Sequence, residues 1–340
     1  MNYPAASMII AELSANHGQN KETAIELVRQ AKKAGADAVK VQTYTPDTIT
    51  FKSQGEAFRI KDQELWKDRY LWDLYNEAYT PWEWQPELKE LALAQGMEFV
   101  ASVFDPSSVE FWEQYGLETY KIASAEIVDI PLLKLVAQTG KRIILSTGMA
   151  TIAEIKEAVE TIRATNSSPN LTLLKCSSAY PAPVEEMNLQ GIRTLKSMFA
   201  LPVGLSDHSL TDEVAVTAVG LGATIFEKHL KLEEAKSTAD DAFSLTPSEF
   251  EKWASSIRTA TRALGSLELA PSETERATLP FRKSLFVVKD IQKGKKLTSE
   301  NVRSIRPAAG LHPKYFEEIL GKTVKESISA GTPLSFDLIN

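Results

Sequence analysis

The sequence predicts a parallel (β/α)8 TIM barrel followed by a small C-terminal β-rich module. Three observations lead there. Eight short apolar runs alternate with amphipathic helical stretches between about residues 8 and 265, close to the ~250 residues usual for such a barrel. Many of the runs end in a burst of polar, ionisable residues, and a barrel gathers its chemistry at the C-terminal ends of its strands. No Gly-x-Gly-x-x-Gly follows the first run, which argues against the competing open, doubly wound dinucleotide fold.

The elements follow in order. Strand one is Met8 to Ala11, leading into Glu12 and on to His17. A helix from Lys21 to Ala34 closes at Gly35. Strand two is Ala38 to Gln42, with Lys40 and Gln42 on one face because side chains alternate. Residues 46–84 depart furthest from the βα repeat and carry four of the six tryptophans, with Trp66, Tyr70 and Asp73 at helical spacing. An insertion of this kind at a barrel mouth shapes a pocket or an interface, or its aromatic residues simply anchor it. Helix Pro86 to Gln95, strand Glu98 to Ser102, helix Pro106 to Tyr115 and strand Thr119 to Ser124 come next. Then come helix Ile130 to Gln138, strand Arg142 to Leu145, helix Thr151 to Arg163 and strand Leu171 to Lys175. A helix from Leu189 to Met198 leads to strand Leu201 to Leu205, helix Thr211 to Leu221, strand Ala223 to Phe226 and helix Pro247 to Leu264. The barrel is assigned to 1–265 and a polar linker to 266–282. The module at 283–340 has a strand at Ser284 to Val288 and a helix start at Leu297 to Asn301.

Composition narrows the function. The net charge of -7 over 340 residues makes a nucleic-acid or anionic-membrane surface unexpected. Cys176 is the single cysteine, so no intrachain disulfide forms and a reducing compartment fits. The N-terminus lacks a basic stretch followed by a long apolar core, and no run is long enough to span a bilayer. A cytoplasmic protein is expected.

The strand ends collect the candidate chemistry: Glu12, Lys40, Gln42, Ser102, Lys121, Ser124, Glu126, Ser146, Thr147, Ser177, Ser178, Tyr180, Ser206, Asp207, His208, Glu227, Lys228 and His229. Two lysines amid hydroxyls suit a phosphorylated anion. A lysine pointing into a barrel is costly unless it meets an anion, although Lys40 on an edge strand would need none. His208 and His229 are half of a metal shell, and either alone is as often a hydrogen-bonded structural residue. A metal there would act as a Lewis acid on a carbonyl. Glu126 and Glu227 suit general acid or base work if burial raises a pKa. Two rivals stand beside this reading. Lys121 or Lys228 could be the Schiff-base lysine of a metal-independent aldolase, or the barrel could bind sugar without catalysis.

Over nearly its whole length the chain resembles the sialic acid synthase family. The resemblance is carried by Ile10 to His17, Ala34 to Asp47, Tyr120 to Ser124, Ser146 to Gly148, Lys175 to Pro181, Gly204 to His208 and Glu227 to His229. The tail from Arg306 to Lys314 is similar to the family's antifreeze-like (SAF) module. Together these stretches are specific, and singly they are weak.

That resemblance implies condensation of phosphoenolpyruvate with an open-chain amino sugar to a nine-carbon 2-keto acid, with release of phosphate by C–O cleavage. It implies a divalent metal on His208 and His229, Mn2+ first and Mg2+ or Co2+ as alternatives. Phosphoenolpyruvate contacts fall on Lys40, Ser102, Lys121, Ser124, Ser178 and Ser206. Ser178 replaces an asparagine of other members. Glu126 takes the catalytic acidic position, and Glu12, Gln42, Tyr180 and Asp240 the sugar contacts. In the family the SAF module of one subunit caps its partner's site in a swapped homodimer through an arginine, here Arg306. The family's Pro-Gly in that loop is Pro307-Ala308 here. Thr43 to Asp47, Leu65-Trp66 and Leu71 to Tyr75 are similar to the branch whose acceptor is 2,4-diacetamido-2,4,6-trideoxy-L-altrose. N-acetylneuraminate and legionaminate synthesis are the alternatives within the family.

Overall fold

The computed structural model describes residues 7–61, 64–233, 237–266 and 269–340. The chain divides into two compact units, Met1–Ser266 and Leu267–Asn340.

In the first unit eight parallel strands close a barrel in chain order. They are β1 (Met8–Glu12), β2 (Ala38–Thr43), β3 (Glu98–Val103), β4 (Thr119–Ile122), β5 (Arg142–Ser146), β6 (Leu171–Cys176), β7 (Val203–Asp207) and β8 (Ile225–His229). β1 closes the ring against β8, with Glu12 level with His229. The eight covering helices are α1 (Lys21–Lys33), α4 (Gln85–Ala94), α5 (Pro106–Gln114), α6 (Ile130–Gln138), α7 (Ile152–Thr165), α8 (Gly191–Phe199), α9 (Asp212–Gly220) and α10 (Pro247–Ala263). Between β2 and α4 lie two more, α2 (Pro46–Ile49) and α3 (Leu71–Ala78). Several start on the signals a helix needs: Thr151 with Glu154 and Thr246 with Glu249 form reciprocal capping boxes, which satisfy backbone N–H groups otherwise left open.

The main core lies between strands and helices and includes Val28, Val39, Trp112, Leu133, Phe226 and Trp253. A second, inner layer plugs the barrel: Ile10, Ala38, Val100, Ile144, Leu174 and Ile225. Gly204 completes that layer on β7 without a side chain. A Cβ there would collide with the Ile225 carbonyl and with Leu174. At the other end, Arg258 of α10 bonds both carboxylate oxygens of Asp37 at 2.6 Å, and Ser7 meets Thr261 at 2.7 Å. The first strand is thereby tied to the last helix.

The expected eight strands are present, with ends that move by a few residues. Strand four stops at Ile122, and Ser124 leads instead into a 3-10 turn, Ala125–Val128. The helix expected around Trp66 begins only at Leu71. Trp66 ends a separate 3-10 turn, because a short hairpin, Ile60 N–H to Arg69 O and Asp68 N–H to Ile60 O (both 2.9 Å), precedes α3. Residues 62–63 of this insertion, and 267–268 of the expected linker, lie outside the described residues.

The second unit has its own core, including Leu285, Val287, Val302, Ile319, Val324 and Leu334. Its strands β9 (Ser284–Val287) and β10 (Val302–Ile305) pair antiparallel. Two expectations change here. Leu297 to Asn301 is a turn rather than a helix start: Asn301 accepts from the Thr298 N–H at 2.8 Å and releases the chain into β10. The expected linker is also partly built in. Ser272 and Glu275 cap a helical turn, α11 (Glu273–Arg276), and the Pro280 carbonyl accepts from Ala308 at 3.0 Å. Among the described residues no helix is long and apolar enough to cross a membrane.

Candidate active site

Strand alternation builds the site directly above the inner apolar layer. Two residues beyond Ile10, Ala38, Val100, Ile144, Leu174 and Ile225, the same faces present Glu12, Lys40, Ser102, Ser146, Cys176 and Glu227. Lys121 of β4 is level with Ser102, and Ser206 of β7 with Cys176. All eight are buried. One step further out, Gln42 and His229 face the barrel mouth, and both border the same cavity. The period of two in a pleated strand therefore turns an apolar plug into a ring of charged and hydroxyl groups.

The lysines meet acids in this ring. Lys40 is ion-paired with Glu12, stands 3.6 Å from Glu227, and donates to Ser102 at 3.1 Å. Lys121 donates to both Glu227 oxygens at 3.1 and 3.0 Å, and Ser206 donates to the same carboxylate at 3.0 Å. Burial opposes the charge on Glu227, yet Lys121 and Lys40 hold it well below the usual carboxylate range. Burial pushes Glu12 up, against the pull of Lys40. For Lys40, burial is outweighed by Glu12 and Glu227, which hold it above the ordinary lysine value. For Lys121 burial wins and lowers it. The expectation of acid–base work thus separates the two glutamates. Glu227 is a fixed counter-anion, whereas burial lifts Glu126 to about 7, and its Oε2 is buried without a hydrogen-bond partner.

The hydroxyls sit where β4, β5 and β6 end. Ser124 Oγ accepts from the Gly148 N–H at 3.0 Å. Gly148 is needed for this approach, since a Cβ there would run into the Ser124 and Ser178 hydroxyls. The Ser146 hydroxyl is buried and makes no hydrogen bond to another protein group, so it is free to bond a molecule held in the ring.

The two histidines come together with ring centroids 5.4 Å apart. His208 Nδ1 lies 2.9 Å from the Ser177 carbonyl, which assigns the proton there and leaves the lone pair on Nε2. Burial, with His208 beside it, keeps His229 neutral, and its Nδ1 is buried with no hydrogen-bond partner. Asp240 is 3.8 Å from that nitrogen. These are the properties of imidazoles that fit a metal. Among the described residues no group of three or more His, Cys, Asp or Glu forms a complete protein shell, so water or substrate oxygens would fill the other positions. Cys176 Sγ lies 4.0 Å from His208 Nδ1. Burial opposes its thiolate, but His208, when protonated, brings it down to about 7, and the same pairing raises His208 against its own burial.

The Tyr180 ring lies tilted against His208 with centroids 4.5 Å apart, and Phe243 meets His229 edge-on at 4.8 Å. Ser14 donates to Asp240, and Gln42 donates to Ser14 at 2.8 Å. Asn16, inside the stretch from Ile10 to His17, is a clamp. Its Nδ2 donates to the Leu230 carbonyl (3.0 Å) and to Ser244 (2.8 Å), and its Oδ1 accepts from Thr238 (2.7 Å). It thereby fixes the loop that carries Asp240. A cavity of about 390 Å³ opens over Gln42, His229, Asp240 and Tyr180, with Trp66, Tyr75 and Leu74 of the insertion across from them.

Three candidates lie elsewhere. Asp207 and Lys228 face outward and pair with each other at 2.9 Å, so neither reaches the barrel interior and Lys228 is removed as a Schiff-base candidate. Arg306 belongs to the second unit, exposed at the end of β10.

Comparisons place the chain among known proteins. A NeuB family model matches residues 27–268 and a SAF domain model residues 282–340. A pseudaminic acid synthase of Campylobacter jejuni is 44% identical, with 96% of this chain and 94% of the relative covered. One of Helicobacter pylori is 42% identical over 97% and 96%. A crystal structure of a putative spore coat polysaccharide biosynthesis protein E from Chromobacterium violaceum superposes with a TM-score of 0.76 at 28% identity, covering 98% of this chain and 99% of that one. This chain belongs to the NeuB family and carries a SAF domain at its C-terminal end.

Proposed function

We propose that the chain catalyses pseudaminic acid synthesis, the condensation of phosphoenolpyruvate with 2,4-diacetamido-2,4,6-trideoxy-L-altrose. The observation that carries this is the meeting, on one barrel face, of two buried lysines and a ring of hydroxyls with a neutral, unpartnered imidazole. Relatives at 42–44% identity carry the name of that synthase.

In this reading Lys40, Lys121, Ser102, Ser124, Ser146, Ser178 and Ser206 hold the phosphate and carboxylate of phosphoenolpyruvate by charge-assisted hydrogen bonds. A divalent metal, Mn2+ first, held by His208 and His229 would supply Lewis acidity at the sugar aldehyde. Glu12, Gln42, Tyr180 and Asp240 orient the sugar so that its aldehyde carbon meets C3 of phosphoenolpyruvate. As that C–C bond forms, the aldehyde oxygen takes up a proton and becomes a hydroxyl. Water then adds at C2, and Glu126 accepts the water proton, as a carboxyl poised near neutrality can. The C2–O bond to phosphate breaks last, as the C2 hydroxyl passes its proton to the departing phosphate and becomes the ketone of the keto acid. Arg306 of a partner subunit's SAF domain would close on the sugar in a swapped homodimer, and Arg306→Ala is expected to raise the sugar KM about tenfold, ~1.4 kcal/mol.

The test is phosphate release from phosphoenolpyruvate, with and without chelator, using the altrose derivative and N-acetylmannosamine as acceptors. Metal-dependent release with the altrose derivative alone is expected. Release only with N-acetylmannosamine moves the chain to N-acetylneuraminate synthesis, and a legionaminate precursor completes the panel. One observation favours a second reading, a Schiff base on Lys121, because burial lowers that lysine. Borohydride trapping with pyruvate would reveal it.

A further inference from the structure

The cavity over His229 has two sides of opposite character. The strand-end side is polar, with Ser14, Gln42, His229 and Asp240. The insertion side is largely apolar, with Ile60, Trp66, Leu71, Leu74 and Ala78, and carries one phenol, that of Tyr75. Leu74 is buried with Ala15 and Ala239 in a small apolar cluster apart from the main core, and Ile60 and Trp66 pack against it. Ile60, Leu71 and Leu74 carry no polar side-chain atom, and the Trp66 Nε1–H beside them is committed to the Ala239 carbonyl at 3.0 Å. The wall is held firmly. The hairpin bonds of residues 60, 68 and 69 set Ile60, α3 sets Leu71 and Leu74, and the Trp66 bond ties the insertion to the loop carrying Asp240.

A substrate that spans this cavity with its reacting end at His229 would set its far end against the wall. Against the aliphatic side chains of Ile60, Leu71 and Leu74 a hydroxyl would lose water and find no partner in them, whereas a methyl would gain apolar contact. We propose that Ile60, Leu71 and Leu74 form a wall that reads the terminal carbon of the acceptor and selects a methyl over a hydroxymethyl group. The inference rests on the synthase reading above and assigns its sugar selectivity to named residues. An apolar pocket discriminates against an added hydroxyl by about 10- to 100-fold.

The experiment compares 2,4-diacetamido-2,4,6-trideoxy-L-altrose with its 6-hydroxy counterpart on the full-length, metal-loaded protein. Phosphate release gives kcat/KM for each sugar, and tryptophan fluorescence titration gives their binding without turnover. The wild type is expected to favour the 6-deoxy sugar by about 10- to 100-fold. Leu71→Asn and Leu74→Asn are expected to shrink that ratio at least fivefold (~1 kcal/mol) through the sugar KM, with the phosphoenolpyruvate KM unchanged. Leu74 is buried, so Ile60→Thr on the half-buried hairpin guards against a misfolded variant and is expected to shrink the ratio about threefold, ~0.6 kcal/mol. Equal binding and turnover of the two sugars in the wild type, or a ratio unmoved in folded variants, overturns the wall. Preferential binding of the 6-deoxy sugar by a protein that releases no phosphate supports the wall and overturns the synthase reading instead.

Discussion

The two faces of β8 use the same kinds of side chain for different ends. Outward, Lys228 pairs with Asp207 at 2.9 Å, donates to the Ser209 carbonyl, and lies 5.9 Å from the Trp253 ring centroid. Asp207 in turn accepts from the Ser209 N–H and hydroxyl at 2.9 and 2.7 Å. Lys228 and Asp207 are 0% exposed as side chains, and their main hydrogen-bonding positions are used. Inward, Glu227 and His229 flank the same lysine in sequence but face a ring with open positions: His229 Nδ1, Ser146 Oγ and Glu126 Oε2 are buried and unpartnered. A buried charge with its partners in place is architecture. Among the described residues, the outward face leaves only the Trp253 Nε1 beside Lys228 without a partner, whereas the inward ring gathers an unpartnered imidazole, hydroxyl and carboxylate, the grouping that marks a candidate site.

Four substitutions would break or sharpen that contrast. The largest effect is expected from His229→Ala, with phosphate release down at least about 10³-fold, ~4 kcal/mol, and metal affinity lost in a calorimetric titration. A fully active variant would detach the inward face from catalysis. Lys228→Ala should do the reverse, costing about 3–5 kcal/mol in urea unfolding because Asp207 is left buried and uncompensated. The folded fraction should release phosphate within about threefold of wild type, under ~0.7 kcal/mol. Lys121→Met is expected to lower kcat by about 10²–10³, as loss of one preorganised donor does. Its stability should suffer less than that of Lys228→Ala, since Lys40 remains 3.6 Å from Glu227.

Glu126→Gln gives the smallest and most pH-dependent effect. Burial raises its carboxyl from 4.5 to about 7, so the folded state holds that proton more tightly than the unfolded chain. This contribution to stability is present below pH 4.5 and is lost as pH rises through about 7. The glutamine variant should therefore be more stable than wild type above pH 7, by up to about 2–3 kcal/mol, and no different near pH 4. If the carboxylate is the base, wild-type turnover should rise with pH through about 7 and the variant should lose that limb.

Much of this was legible in the sequence, for physical reasons. Parallel strands covered on both faces are continuous apolar runs, so eight of them stood out, and the polar bursts after them marked the barrel mouth. Alternation also held the information that separates Lys228 from Glu227 and His229. Counting by twos from Ile225 puts Glu227 and His229 on one face of β8 and Lys228 on the other. Asn16 and the wall of the insertion were out of reach for another reason. Asn16 acts through Leu230, Thr238 and Ser244, and Trp66 through Ala239, 173 residues away. No local pattern encodes such pairings, because packing against distant loops decides them. Leu297 to Asn301 failed in the opposite way, since a Thr-Ser-Glu-Asn run serves a turn as readily as a helix start.

Closure of the ring has a consequence for how the chain is made. Met8 to Glu12 pairs with Ile225 to His229, and α10 then ties down Asp37 and Ser7. During synthesis the first strand must wait for more than two hundred residues before its second neighbour exists. Until then β1 and the newest strand are open edges, able to pair with other chains. Such long-range pairing slows folding and exposes intermediates. Fragments ending before residue 225 should therefore aggregate, and the yield of folded enzyme should depend on chaperones more steeply than its final stability would suggest.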